Sequence, residues 1–153
     1  ESFSNGFAFK NGVHVYGCEK DEDGNVLREW TNIDAEYERD GVTLHLGTGE
    51  VHNDGTTVDT STFDDTREIN GVTVQYSADD YKAVPADYEP TAEEQAAIEA
   101  GDLQIGYGAS EVTVQQYQFL RWEQNGVYYT LSGFDLDMTA DELFQMAQEI
   151  IES

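Results

Sequence analysis

Apolar and polar residues alternate with a period of two through much of the chain, and the alternating stretches are punctuated by a recurring tripeptide. It occurs as Asn11-Gly12-Val13, Asp40-Gly41-Val42, Asn70-Gly71-Val72 and Asn125-Gly126-Val127. Asn-Gly and Asp-Gly tolerate positive φ at both central positions of a type I′ turn, whose twist matches the strands it joins, and the β-branched Val opens the returning strand. This predicts four hairpins. Asp23-Gly24-Asn25 ahead of Val26-Leu27 predicts a fifth with a slightly longer loop. Turn chemistry converges readily, so the tripeptides are read as turns rather than as diverged copies of one unit.

Register follows from the last hairpin. A two-residue Asn125-Gly126 loop pairs Trp122 with Tyr129 and Leu120 with Leu131 on one face, and Arg121 with Thr130 and Phe119 with Ser132 on the other. A strand that is apolar on both sides predicts a central position in the sheet, with a helix covering part of the second face.

Two helices are marked by their caps. In Thr91-Ala92-Glu93-Glu94 and Thr139-Ala140-Asp141-Glu142 a Thr is followed three residues later by Glu, the reciprocal capping box, with acids in the first turn where the helix dipole is positive. The first helix is expected from Thr91 to Ala100, stopping at Gly101; Ile98 is its only large apolar residue, which predicts a surface helix. The second runs to the C-terminus with Leu143, Met146, Ala147 and Ile150 in one stripe that Phe144 and Ile151 widen. Trp122, Tyr129, Leu131, Leu143, Met146 and Ile150 are expected to form one buried cluster. From Gly47 to Asp65 the chain is rich in Thr, Asp and Gly, and reads as a hairpin tip and a long polar loop. The expected fold class is α+β: a curved antiparallel, hairpin-rich sheet of about seven to ten strands, packed against a C-terminal helix, with one short additional helix.

Charge changes what this domain can meet. The 153 residues hold 7 Lys+Arg against 32 Asp+Glu, a net −25. The length reads as a single domain, 1–153. A surface this negative repels phosphate backbones and anionic headgroups, because both are bound through Lys and Arg. No nucleic-acid partner and no direct membrane-surface binding are therefore expected. Hydrophobic residues make up 39% and aromatics 12%, enough apolar material for a core. No apolar run approaches a membrane span. The opening Glu1-Ser2-Phe3, without an initiator Met, is what a mature exported protein or trimmed ectodomain looks like, so an extracytoplasmic setting, secreted or membrane-anchored, is expected. Cys18 has no disulfide partner and is expected to be a small buried hydrophobe in a strand.

Candidate chemistry is sparse. His14 and Cys18 share a strand face about 13 Å apart, too far to exchange a proton. No Gly-x-Ser-x-Gly elbow surrounds Ser110 or Ser132, and no glycine loop that cradles phosphate precedes a helix. If Thr48-Gly49 is a hairpin turn, His45 faces His52 across the ladder and the two are candidate metal ligands, with Asp54 opposite Thr43 as a neighbour. The competing reading is two solvated histidines on a polar face, since further ligands are not evident. Asp21-Glu22-Asp23-Gly24-Asn25 opens like a calcium loop, yet its glycine falls at the fourth position and the twelfth is Asn32, so it reads as a turn. Asp135-Leu136-Asp137 likewise reads as a helix approach. No cofactor is expected, and the chain is not read as an enzyme.

The run Leu120-Arg121-Trp122-Glu123-Gln124-Asn125-Gly126-Val127-Tyr128-Tyr129-Thr130-Leu131-Ser132-Gly133, followed by Met138-Thr139-Ala140-Asp141-Glu142-Leu143 and Met146-Ala147-Gln148-Glu149-Ile150-Ile151, carries a resemblance over the last third of the chain. A Trp-containing strand, an Asn-Gly hairpin, a Tyr-x-Leu return and a capped terminal helix resemble an uncharacterised domain family of Gram-positive bacteria. That family occurs in exported proteins and in the outer portions of anti-sigma-factor-like membrane proteins. The resemblance implies a curved sheet with packed helices, loosely similar to bacterial lipoprotein carriers, and brings no catalytic residues. The function expected is a non-enzymatic extracytoplasmic binding or sensory module, in the manner of the outer domain of a membrane-anchored regulator. The alternative is a carrier or chaperone holding an apolar ligand in the concave face of the sheet. A third is a glycan binder using Tyr107, Tyr117 and Tyr128. Partners are accordingly a protein, an envelope component or a small apolar ligand.

Overall fold

A computed structural model of the chain describes residues 2–50 and 63–153. The elements run β1 (Ala8–Lys20), β2 (Val26–Arg39), β3 (Val42–Glu50), β4 (Asp65–Ile69), β5 (Val72–Val84), α1 (Ala92–Ala100), β6 (Leu103–Tyr107), β7 (Thr113–Gln124), β8 (Val127–Phe134) and α2 (Ala140–Ile151). Among the described residues the strands form one open eight-stranded sheet in the order β1-β2-β3-β8-β7-β5-β4, with β6 also on β5. The fold is α+β and dominated by the sheet.

Three predicted turns form as the tripeptide dictates. Asp40 and Gly41 have φ of 52° and 84°, Asn70 and Gly71 50° and 81°, and Asn125 and Gly126 54° and 78°, the paired left-handed conformations of a type I′ turn. At the longer β1–β2 connection, Asp21 Oδ1 accepts from the Asp23 and Asn25 amides at 3.0 and 2.8 Å and Oδ2 from Asn25 Nδ2 at 2.9 Å, while Gly24 takes φ 83°. These bonds hold the Asp21 carboxyl below its ordinary value and make it a turn residue.

The fourth tripeptide is not a turn. Asn11 and Gly12 lie inside β1, opposite Glu36 and Ala35, with a register irregularity between Phe9 and Asn11. Pairing along the whole of β2 outweighs the local turn preference, and Asn11 Oδ1 accepts instead from the Gly12 amide at 2.8 Å. Nor is Thr48-Gly49 a turn: β3 runs through it, with Thr48 opposite Tyr129 and Gly49 opposite Tyr128. The expectation of an all-antiparallel sheet also needs correcting, because β5 and β6 pair in parallel, Asp80 with Leu103 through Val84 with Tyr107. The capped α1 is the crossover that a parallel neighbour requires.

The last hairpin has the predicted register, Trp122↔Tyr129, Leu120↔Leu131, Arg121↔Thr130 and Phe119↔Ser132. The strand β7 is central, between β5 and β8. The Trp122, Leu120 and Leu131 face meets α2 through Leu143, Phe144, Met146 and Ala147, with Phe3, Phe7, Leu44, Leu136 and Met138 closing the core; Tyr129 and Ile150 pack against it half-buried. The indole of Trp122 stacks on Tyr129 at 5.1 Å and 3°. Buried Gln118 donates from Nε2 to Met138 O at 2.8 Å and Tyr76 Oη at 3.0 Å, which ties the approach to α2 onto the sheet. Both helices have the predicted capping boxes. As the sequence implied, α1 buries no residue.

A polar clamp holds α1 instead. On β5, Lys82 pairs with Glu94 and donates to Tyr88 Oη at 2.7 Å, and Tyr88 Oη donates to Glu94 at 2.9 Å. The Lys82 ammonium above all, and then the Thr91 amide, pull the Glu94 carboxyl down to about 2 from 4.5. A carboxyl depressed in this way contributes stability that is present above its unfolded value and lost as pH falls from 4.5 toward about 2. Glu94→Gln should therefore flatten the acid limb of a stability-versus-pH curve in that window; an unchanged acid limb would contradict the clamp.

Candidate functional site

Strand register sorts every side chain onto one of two faces. Both helices sit on the same one: α2 through Trp122 and Leu131, and α1 through Lys82, which shares the alternation of Val74, Tyr76 and Val84. The expectation that a helix covers the second face of β7 is not met. Among the described residues no helix lies on the face that carries Tyr117, Phe119, Arg121, Tyr128, Thr130 and Ser132.

An aromatic row crosses this open face. Tyr81 of β5 meets Phe134 at 5.3 Å, Phe134 meets Tyr117 at 4.9 Å, and Tyr117 lies within 25° of parallel to Phe119 at 6.4 Å. Tyr81, Tyr117 and Phe119 are half-buried and Phe134 is 42% exposed, so the rings keep surface for a ligand.

Glycines inside the strands let other rings lie down across the sheet. A Cβ on Gly17 would fall 2.4–2.6 Å from three indole atoms of Trp30, and one on Gly49 2.6 Å from Tyr128 Oη and 2.5 Å from Asn32 Oδ1. At Gly106 it would meet Tyr81 Oη at 2.0 Å, and at Gly47 Thr130 Oγ1 at 2.6 Å. None of the four has a left-handed φ, so glycine is required here for close approach and not for a turn. With no Cβ beneath, these side chains fold over the neighbouring strand instead of standing upright.

At one end of the row is a hollow of about 530 Å³, lined among others by Asp34, His45, Gln115, Tyr117, Ser132 and Phe134. Its polar groups come from four adjacent strands. His45 Nδ1 and Asp34 Oδ1 are 3.2 Å apart, and Asp135 accepts from the Gln116 amide at 2.9 Å and Gln115 Nε2 at 3.1 Å. The Asp135 bonds, with φ of 47° at Asp135 and 50° at Asp137 around fully buried Leu136, give this tripeptide the turn role expected of it. Asp34, His45 and Ser132 are the residue types of an acyl-transfer triad, and His45 lies directly opposite Ser132. Among the described residues no hydrogen bond joins Ser132 to His45.

The candidate residues are thereby placed. His45 lies opposite Glu36 and Ser132, which replaces the geometry derived from a turn at Thr48-Gly49; His52 and Asp54 lie outside the described residues. No cluster of three His, Cys, Asp or Glu suited to a metal occurs among the described residues. Cys18 is exposed, contrary to expectation, because β1 is an edge strand and no helix among the described residues packs on it. Tyr117 and Tyr128 share the open face. Tyr107 pairs with Val84 and belongs to the other alternation. The sequence names Phe119 and Ser132 only as a cross-strand pair, and Ser132 as a serine without an elbow, and does not single out Asp34, Gln115 or Phe134; the available signal was glycine inside a strand facing an aromatic, as at Gly49 and Tyr128.

A strained carboxylate lies on the same alternation. Burial, then the charges of Asp64, Asp102 and Asp80, push Asp79 above its ordinary value against the lowering effect of Gln104, which donates to it at 3.2 Å. A carboxyl raised on folding stabilises the fold while protonated and loses that contribution as pH rises through its folded value. Asp79→Asn should raise the melting temperature at pH 7 and reduce the gain the parent chain makes on mild acidification. A lower melting temperature for the variant at pH 7 would contradict this. Added sodium chloride should also raise the parent's melting temperature at pH 7, by screening the net −25.

Comparison of the chain with protein-family models, with curated proteins and with solved structures gave no match in any of the three.

Proposed function

We propose that the chain is a non-enzymatic binding or sensory module whose working surface is the open face of the sheet. One observation carries this reading: both helices pack on one face, leaving the aromatic row and the hollow beside it without a covering element among the described residues. Aromatic and amide groups converging on a hollow are the ordinary furniture of a binding site. His45 is held by Asp34, and Asp135 accepts from Gln115, so polar groups of the hollow are held in fixed positions for recognition. A setting outside the cytoplasm, as a secreted protein or as the outer domain of a membrane-anchored regulator, is part of this proposal and draws its support from the resemblance of the C-terminal third.

The second reading is a carrier or chaperone for an apolar ligand, which requires the sheet to curve around it. It is favoured by the exposed ring of Phe134 at the hollow and by Val13 and Val15, exposed on the same alternation of β1. An amide NMR titration of the labelled chain with uncharged oligosaccharides, monoacylglycerols and aromatic amino-acid amides tests both. Saturable shifts confined to β3, β7 and β8 around Gly47, Phe119 and Ser132 are expected. Shifts from monoacylglycerol alone would select the carrier reading, and shifts confined to α2, or none from any class, would contradict both.

A further inference from the structure

We infer that the ligand of this face is an uncharged polysaccharide chain, laid across the sheet with its sugar rings on Tyr117, Phe119 and Phe134; the inference rests on the open face being the binding surface. Three features of that face select this chemistry.

The first is ring presentation. Tyr117 and Phe119 are two residues apart on one strand, near-parallel and centred 6.4 Å apart, with Phe134 4.9 Å from Tyr117. Adjacent apolar plates of this kind suit a ligand with flat C–H faces and polar edges, which is what a pyranose presents. An isolated fatty chain is served better by an enclosed tunnel, and the hollow is open.

The second is the polar complement between the rings. Asn32, Thr130, Ser132, Gln115 and Gln104 supply amide and hydroxyl groups that both donate and accept, the pairing that sugar hydroxyls need. Arg121 is the cation among them, and it lies 3.5 Å from Glu123. Carboxylates border the same strip, Asp79 opposite Tyr117 and Asp34 and Asp135 at the hollow, and add acceptors for sugar hydroxyls.

The third is exclusion. A chain of net −25 repels acidic polysaccharides and nucleic acids over a Debye length of about 8 Å at physiological salt. Acidic polymers are thereby disfavoured, and the rings and amides of this face offer stacking and hydrogen bonding, which an uncharged polymer uses without any ionic contact.

Affinity electrophoresis of the full chain in native gels containing hydroxyethylcellulose, mixed-linkage β-glucan or glucomannan tests the inference, with alginate as the charged comparison. Retardation by at least one uncharged polymer and none by alginate is expected. Tyr117→Leu with Phe119→Leu keeps apolar bulk under the strand while removing the plates, and should weaken retardation about tenfold or more. Tyr107→Ala, exposed on the other alternation, should leave it unchanged. A thermal melt of each variant separates lost binding from lost folding; if the double variant melts early, Phe134→Leu, at an exposed position, takes its place. Absence of retardation in every uncharged polymer, or equal retardation of the parent and a folded plate variant, would overturn the glycan assignment. Shifts on the same face with monoacylglycerol in the NMR titration would then leave the binding surface standing and remove only the sugar.

Discussion

Leu143→Ala will lower the free energy of unfolding by about 2–5 kcal/mol, the cost of deleting a fully buried leucine whose site cannot collapse. Leu143 has no exposed surface and lies in the single cluster that joins α2 to Trp122, Leu120 and Leu131. The helix has no other strong hold on the sheet. Its outer contacts with the sheet include the Arg67–Asp141 ion pair, with Asp141 largely exposed, the Arg67 guanidinium 4.1 Å from the Phe144 ring, and hydrogen bonds from Asn70 to Glu152 at 3.0 Å and from Gln124 to Ile151 O at 3.4 Å, each worth little in water. A urea titration measures the effect. A midpoint equal to the parent's would show that α2 does not dock through this residue.

Gly133→Ala should cost about 1–3 kcal/mol by overpacking. A Cβ there would lie 2.8 Å from the backbone oxygen of Thr43 and 2.4 Å from Leu136 Cδ2. The leucine tip can turn away, but the Thr43 carbonyl belongs to the neighbouring strand β3 and moves only with it. Gly12→Ala is the matched comparison: its Cβ meets Phe9 at an ordinary 3.5 Å and its φ is not left-handed. That substitution should be neutral or slightly stabilising. Equal losses in the two variants would mean that the close approach of β8 to β3 is not the cause.

The legible parts of the fold were those written in local chemistry. Asp40-Gly41, Asn70-Gly71 and Asn125-Gly126 made their turns because both positions accept positive φ, and Thr91 and Thr139 capped their helices because each has a glutamate three residues on. The two-residue Asn125-Gly126 loop then paired Trp122 with Tyr129, and helical spacing identified the stripe on α2. Asn11-Gly12 misled because the same dipeptide is tolerated inside a strand once a long partner supplies the hydrogen bonds. Thr48-Gly49 misled for a related reason, since glycine in β3 answers to Tyr128 and Asn32 lying above it, a cross-strand demand that no local window contains. The parallel β5–β6 pair was hidden because the short surface helix α1 carries no periodicity that announces a crossover.

The open face was only half visible. Its aromatics, Tyr117 and Tyr128, stood out as exposed-ring candidates, but which face the helices would leave bare depends on long-range packing. Phe119 and Phe134 look like core residues in sequence and become surface ones only because α2 and α1 both choose the opposite side. His45 was noticed for the wrong partner: its neighbour across the sheet is Ser132, and its hydrogen-bond partner is Asp34.

Helices cover one face of the sheet, and among the described residues none covers the other. Hydroxyl-radical footprinting of the full chain, read by mass spectrometry at individual side chains, tests it without knowledge of any ligand. Phe134, Tyr117 and Tyr128 should be oxidised readily in the free protein, while Trp122 and Met146, each 1% exposed, and Phe144 stay protected until the chain unfolds. Protection of Phe134 and Tyr117 in the free chain, or oxidation of Met146 and Trp122 at comparable rates, would contradict it.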